Sequence, residues 1–133
     1  MMYCLDTNIC IYALKGTYPH VQERIASLSP SAIKIPAMVL AELLLGARRS
    51  SNMAAVQRTV RQFAAPFEVL PFDRQAAIEY SELRADLEKK GTPIGPNDLV
   101  IASIVVAARG TLVTHNVKEF GRIPHLLIDD WAG

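Results

Sequence analysis

Tyr3-Cys4-Leu5-Asp6-Thr7-Asn8-Ile9, continuing through Cys10 and Tyr12 to Lys15, is the stretch on which the fold turns. Its first three residues suit a short apolar strand. Asp6, Thr7 and Asn8 favour turns and helix starts, because their short side-chain oxygens can accept from the unpaired N–H groups of a first helical turn. Ile9 to Leu14 then reads as an apolar helical run. The segment is therefore a strand-to-helix junction, with an acid at the carboxyl end of the strand.

Working outward, the alternation repeats. Val21 to Leu28 suggests a helix after Pro19, and Ile33 to Ile35 a strand closed by Pro36. Ala37 to Arg49 is too long and too rich in Ala and Leu for a strand and reads as a helix. Met53, Val56, Val60 and Phe63 recur at helical spacing opposite Gln57, Arg58, Arg61 and Gln62, which makes an amphipathic helix whose apolar stripe belongs to the core before it belongs to a partner. Phe67 to Phe72 reads as a strand. Asp73 to Lys90 forms a helix with Ala76, Tyr80, Leu83 and Leu87 on one face, its Lys89-Lys90-Gly91 ending suited to the negative end of the dipole. Leu99 to Ala108 is apolar on nearly all sides, and Leu112 to Thr114 and Leu126 to Ile128 complete the strands. Strands alternating with helices imply an α/β protein with a parallel sheet covered on both faces. In such sheets ligands bind beyond the carboxyl ends of strands, where Asp6 falls.

The chain's 133 residues suffice for one domain, spanning 1–133, with a single core, and half of them are hydrophobic and a fifth charged. The longest nearly uncharged stretch, Ile35 to Ala47, is broken by Glu42 and is shorter than the ~20 residues that cross a bilayer, so no membrane helix is expected. Met1 to Leu5 has no basic region or cleavage-type sequence, and the cytoplasm is the expected location. Cys4 and Cys10 lack metal-site spacing and read as two reduced, buried thiols. The net charge is only +1. A nucleic-acid ligand would therefore need locally arranged cations, since binders that rely on nonspecific phosphate contact are strongly basic. Lys15, Arg48, Arg49, Lys89, Lys90 and Arg109 are the candidates.

Three carboxylates invite a chemical reading. Glu42 is the sole charge among Met38, Val39, Leu40, Leu43, Leu44 and Leu45. It either occupies a solvated helix stripe or points inward, where an unpaired carboxylate would cost several kcal/mol without a cation. Asp98 follows Gly95-Pro96-Asn97 at the start of the most apolar helix, where it either caps the first turn or uses the positive dipole end to hold a site. Ile101 excludes a reciprocal capping box. Asp6 has the same ambiguity. Should the three acids converge, they would repel one another unless a metal neutralised them, and a hard oxygen set favours Mg²⁺, with Mn²⁺ an alternative, over Zn²⁺.

The motifs LDTNICIYALK at positions 5 to 15, AELLLGA at 41 to 47, KKGTPIGPNDLVIAS at 89 to 103, and TLVTHNVKEFGRIP from 111 with IDDW closing at 131 resemble, in this order and spacing, the PIN-domain family and specifically the VapC toxins. The resemblance implies a three-layer sandwich with a central parallel sheet of strand order 3-2-1-4-5. It implies that Asp6, Glu42 and Asp98 are the catalytic, metal-holding acids, that Thr7, Asn8 and Thr114 orient them, and that Asn116 stands where many PIN domains carry a fourth acid, with Glu119 one turn further on. It also implies metal-dependent RNA cleavage, a homodimer, and inhibition by a cognate antitoxin of the VapB type in a heterotetramer or larger assembly, the antitoxin's C-terminal segment lying in the active-site groove. Three rival readings stand beside this one. A metal-free ribonuclease would use His115 with His20 or His125 as acid and base. A phosphatase would use Asp6 as nucleophile, but Asn8 replaces the second acid expected two residues on. A PIN-like binding module would have lost activity, as Asn116 would allow.

Overall fold

The computed structural model describes residues 1–133. Five short strands, β1 (Tyr3–Leu5), β2 (Ile33–Pro36), β3 (Glu68–Leu70), β4 (Thr111–Val113) and β5 (Leu127–Asp129), form one sheet in the order β3-β2-β1-β4-β5. Every neighbouring pair is parallel. Between them run α1 (Thr7–Lys15), α2 (Pro19–Ser27), α3 (Ala37–Arg48), α4 (Met53–Ala64), α5 (Arg74–Lys89), α6 (Pro96–Ala108) and α7 (Val117–Phe120). The crossovers from β1 to β2 and from β2 to β3 step one way along the sheet, and that from β3 to β4 steps back past β1. Right-handed crossovers then put α1 to α4 on one face and α5 and α6 on the other, giving the three-layer sandwich.

β1 carries Cys4 and Leu5, and β4 carries Leu112 and Val113, all buried without residual exposure. These strands sit at the middle of the sheet and, with the inner faces of α1, α3, α5 and α6, belong to one hydrophobic cluster. Each fully buried Leu or Ile in it is worth roughly 1.5–3 kcal/mol relative to exposure. Helix α6 packs along α5 and over the sheet. This accounts for its all-round apolar sequence, since Leu99 and Ile101 through Val105 are all buried. Cys4 and Cys10 are free and buried, as their isolation in the sequence suggests, and burial raises both thiol pKa values.

The differences from the sequence reading are confined to boundaries and one short helix. β3 is Glu68–Leu70 rather than Phe67 to Phe72, because Pro71 has no N–H to extend the ladder and the strand's pairing with β2, which begins at Lys34 opposite Glu68, ends at Pro36 opposite Leu70. α6 begins at Pro96, two residues before Asp98, and α1 begins at Thr7 directly on its Asp6 cap. The single turn α7 was not anticipated from its four residues. On α4, Val60 is buried while Val56 and Phe63 pack partly against the core. Met53 lies off that stripe, 43% exposed. No helix is long and apolar enough to cross a membrane.

The strand order reverses direction between β1 and β4, the position at which α/β sheets bind their ligands. Register carries this down to single residues. Leu5 pairs with Val113, and Val113 pairs with Asp129. The residues one step beyond, Asp6, Thr114 and Asp130, therefore line up across the carboxyl ends of three adjacent strands.

Candidate active site

Asp6 is both a cap and a site residue. Its backbone N–H continues the ladder to the Val113 carbonyl at 3.1 Å, and its Oδ1 accepts from the Ile9 amide at 2.8 Å, closing the first turn of α1. The residue is only 5% exposed. Burial raises its pKa, and the nearby Glu42 and Asp130 charges push the same way, against the opposing bonds from the Thr114 hydroxyl and the Ile9 amide. The Thr114 hydroxyl thus acts on the first acid.

Thr7 serves a different acid. Its hydroxyl donates to Glu42 Oε1 at 2.6 Å, tying α1 to α3 across 35 positions of sequence. Asn97, at the start of α6, reaches Glu42 Oε2 at 3.5 Å, the outer limit of a hydrogen bond. Glu42 lies half-buried beside the buried ridge Val39, Leu43 and Ala47 of α3. The solvated-stripe reading of Glu42 is thereby replaced by an oriented one. Asn8 is exposed on α1 and takes no part in these bonds. Its expected orienting role is not seen in this arrangement.

Asp98 stands in the first turn of α6, half-buried. Its pKa is raised to about 6, first by burial and then by the charges of Glu119, Glu42 and Asp6 in that order. A carboxyl in the first turn of a helix would ordinarily be held low by the dipole. Burial overrides that preference here, and the neighbouring acids add to it. Glu119 is fixed from α7, where Oε1 accepts from the Gly95 amide at 3.0 Å and Oε2 from the Asn116 side-chain amide at 3.2 Å. Those two bonds lower its pKa. A methyl group placed at Gly95 would lie 3.8 Å from Asp98 Oδ2 and 3.9 Å from Glu119 Oε1, so the two carboxylates flank that glycine. Asn116 bonds its own amide to the Thr114 hydroxyl at 3.0 Å and presents its side-chain N–H to Glu119. It acts here as a brace for Glu119.

The structure thus brings together Asp6, Glu42, Asp98 and Glu119, with Thr7, Thr114 and Asn116 in support. None of the four acids pairs with a Lys or Arg; the ion pairs present are Lys34–Glu68, Arg84–Glu88, Lys90–Asp86 and His115–Asp130. No three acidic, histidine or cysteine side chains close into a ready-made cage. A mutually repelling, all-oxygen set without a closed cage fits a hydrated divalent cation of the Mg²⁺ type, which takes one or two carboxylates directly and keeps several waters. Asn97 was not singled out in the sequence, and its adjacency to Asp98 on a helix start was the only signal available for it.

His115 is engaged with Asp130 at 3.0 Å, and His20 and His125 are exposed. A metal-free acid–base pair would need two imidazoles across a common cleft. His20 approaches His115 only through Tyr18, and His125 is outside the arrangement above.

Comparison with known proteins agrees with this geometry. Residues 3–126 match the PIN domain family model. The chain is similar to ribonuclease VapC2 of Rickettsia felis, 41% identical over 98% of each chain. It is also similar to the tRNA(fMet)-specific endonuclease VapC of Salmonella typhimurium, 40% identical over 99% of each. The fold superposes on the crystal structure of DNA-bound VapBC from Salmonella typhimurium with a TM-score of 0.93, at 40% identity over 98% of each chain. A parallel sheet in the order 3-2-1-4-5, acids gathered at its switch point and whole-length similarity converge, and the chain belongs to the PIN domain family, among the VapC ribonucleases.

Proposed function

We propose that this chain is a divalent-metal-dependent endoribonuclease that acts as the toxin of a toxin–antitoxin pair. The observation that carries this is geometric: Asp6, Glu42, Asp98 and Glu119 are gathered beyond the carboxyl ends of the central strands, held there by Thr7, the Ile9 amide and Gly95, and none of them is ion-paired with a Lys or Arg. Asp6, Glu42 and Asp98 would hold Mg²⁺, or Mn²⁺ in its place, with Glu119 near enough to join through water. A cation bound there supplies an activated water and neutralises charge developing on the phosphodiester.

The protein's own groups do the positioning. Thr114 and the Ile9 amide fix the Asp6 carboxylate, Thr7 fixes Glu42, and Gly95 with Asn116 fixes Glu119. Side chains held in this way pay less ordering cost when the reacting groups assemble. No side-chain nucleophile is required, because the attacking group would be water.

The partner reading rests on a groove of about 550 Å³ that opens between α1, α3 and α4, lined by Ile11, Leu14, Leu43 and Val60 with Glu42 at its edge. An antitoxin segment of VapB type laid there would bury apolar side chains and reach the acids through Glu42. A homodimer, joined by antitoxin into a heterotetramer or larger, is the assembly proposed. Because the similar Salmonella typhimurium protein is a tRNA(fMet)-specific endonuclease, transfer RNA is the first substrate to test. Wild type and Asp98→Asn, compared at equal folding stability, should differ by a hundredfold or more in RNA cleavage, on the order of what such charge-stabilising groups contribute. Equal rates would remove Asp98 from the reaction.

A further inference from the structure

Next to the acids lies a cluster of rings that the reaction does not use. Tyr12 on α1 and Tyr18 ahead of α2 meet edge to face with centroids 4.8 Å apart and planes at 70°. Tyr18 also approaches His115 at 5.8 Å and His20 at 6.0 Å, and Tyr12 approaches His115 at 6.4 Å. Tyr18 is the hub of all four rings.

Local structure holds them in place. Gly16 ends α1 in the left-handed conformation at φ 70, and Pro19 starts α2, so the turn that carries Tyr18 is short and tightly specified. Thr17 donates its amide to the Tyr12 carbonyl at 3.1 Å, and the Gln22 side chain pins α2 to the Ala13 carbonyl at 2.6 Å. The His115 ring is held by Asp130, whose Oδ1 is in turn bonded by the Ala132 and Gly133 amides at 2.9 and 3.0 Å.

The rings meet tilted or edge to face, at interplanar angles from 50° to 75°, so none lies flat on another. His20 and His115 are exposed, and Tyr12 and Tyr18 half-buried. His115 directly follows Thr114, whose hydroxyl bonds Asp6, and Tyr12 shares a helix with the Asp6 cap. The rings therefore border the acids.

We infer that Tyr18, with His20, His115 and Tyr12, forms a stacking platform for an unpaired nucleobase of single-stranded RNA flanking the bond to be cut. The inference rests on the nuclease reading for its ligand. A net charge of +1 leaves little counterion release to drive RNA binding, and base–aromatic stacking is the alternative source of affinity, tolerant of sequence because every base has a π-face. Rings fixed before binding lose less freedom when a base lands on them.

The test uses a short single-stranded RNA that the full-length protein cleaves, and the same RNA made abasic at each position flanking the cut in turn. Cleavage is measured for wild type, Tyr18→Ala, Tyr18→Phe and His20→Ala, the last two changing no core residue. Tyr18→Ala should raise KM by roughly tenfold to a hundredfold with kcat nearly unchanged, and Tyr18→Phe should retain wild-type behaviour. One abasic position should impose a similar loss on wild type and little further loss on Tyr18→Ala. Unchanged KM in both Tyr18→Ala and His20→Ala, or abasic losses that simply multiply with Tyr18→Ala, would overturn the platform. Binding of fluorescein-labelled RNA in EDTA separates the two readings. Binding that depends on Tyr18 in a protein without cleavage activity overturns the nuclease and sustains the platform, whereas full cleavage with binding indifferent to Tyr18 does the reverse.

Discussion

Asp6 and Asp73 open helices α1 and α5 in the same way, each accepting a hydrogen bond on Oδ1 from the amide three residues on, at 2.8 Å from Ile9 and 3.0 Å from Ala76. In sequence the two are equivalent N-caps. In the fold they are not. Asp73 caps at an exposed position after an edge strand. Asp6 follows the central strand at the point where strand order reverses, is buried, and shares its surroundings with Glu42, Asp98 and Asp130. Capping and chemistry are thus not alternative explanations of an acid. One oxygen can satisfy the helix while the carboxylate as a whole serves a site, and topology decides which caps are so placed.

The comparison is most severely tested by parallel substitutions. Asp6→Asn should lower RNA cleavage by a hundredfold or more, whereas Asp73→Asn, which keeps a good cap, should leave cleavage at wild-type level. A loss of activity at both positions would show that place in the sheet does not separate the two acids. Next in size is ligand-linked stability. Saturating Mg²⁺ should raise the unfolding free energy of wild type and Asp73→Asn, by about 2.7 kcal/mol when the free ion is at a hundred times its dissociation constant, and should do much less for Asp6→Asn. Denaturant titrations with and without Mg²⁺ read this directly.

Smaller effects follow from the repulsion among the acids. The Asp98 carboxyl sits at about 6 in the folded chain, above its ordinary value of 3.8, so the folded state holds its proton more tightly than the unfolded one. Its contribution to stability is accordingly most favourable below about pH 4, is lost as pH rises through 4 to 6, and is constant above. In EDTA at pH 7, Asp98→Asn should therefore be more stable than wild type, by about 1 kcal/mol once screening at this half-buried group is discounted, with the gap closing toward pH 4. Thermal melts at the two pH values check the sign. Removing the Thr7 hydroxyl in Thr7→Val should cost about 1 kcal/mol and lower activity about tenfold through the loosened Glu42. The smallest effect belongs to Asp73→Ala, which should cost about 1 kcal/mol of stability and nothing in rate.

Much of this arrangement was legible before any coordinates. The alternation of strands and helices follows from apolar periodicity, and Asp6 stands out because it ends a strand and begins a helix at once. Glu42 stands out because a single charge in an apolar helix needs a reason. The convergence of these acids was not legible from spacing, since Thr7 and Glu42 are 35 positions apart and only the pairing of β1 with β2 brings α1 against α3. Strand order likewise came from resemblance to a family, because local pattern says nothing of which strands are neighbours. The supporting bonds were hardest to foresee. Thr7 was expected to steady the first acid and steadies Glu42 instead, and Asn116, which stands where an acid is common in the family, braces Glu119 through its side-chain amide. The ring cluster is not legible in the sequence, because Tyr12, Tyr18 and His115 are brought together by a short turn and a distant strand end, with no shared motif.

The central claim, that a divalent cation held by Asp6, Glu42 and Asp98 is required for cleaving RNA, is tested most directly by following cleavage of transfer RNA by the purified protein after complete chelation and again after Mg²⁺ is restored. The account predicts no cleavage in chelator and full recovery with Mg²⁺ for wild type, with no recovery for Asp98→Asn. Undiminished cleavage in chelator would contradict it.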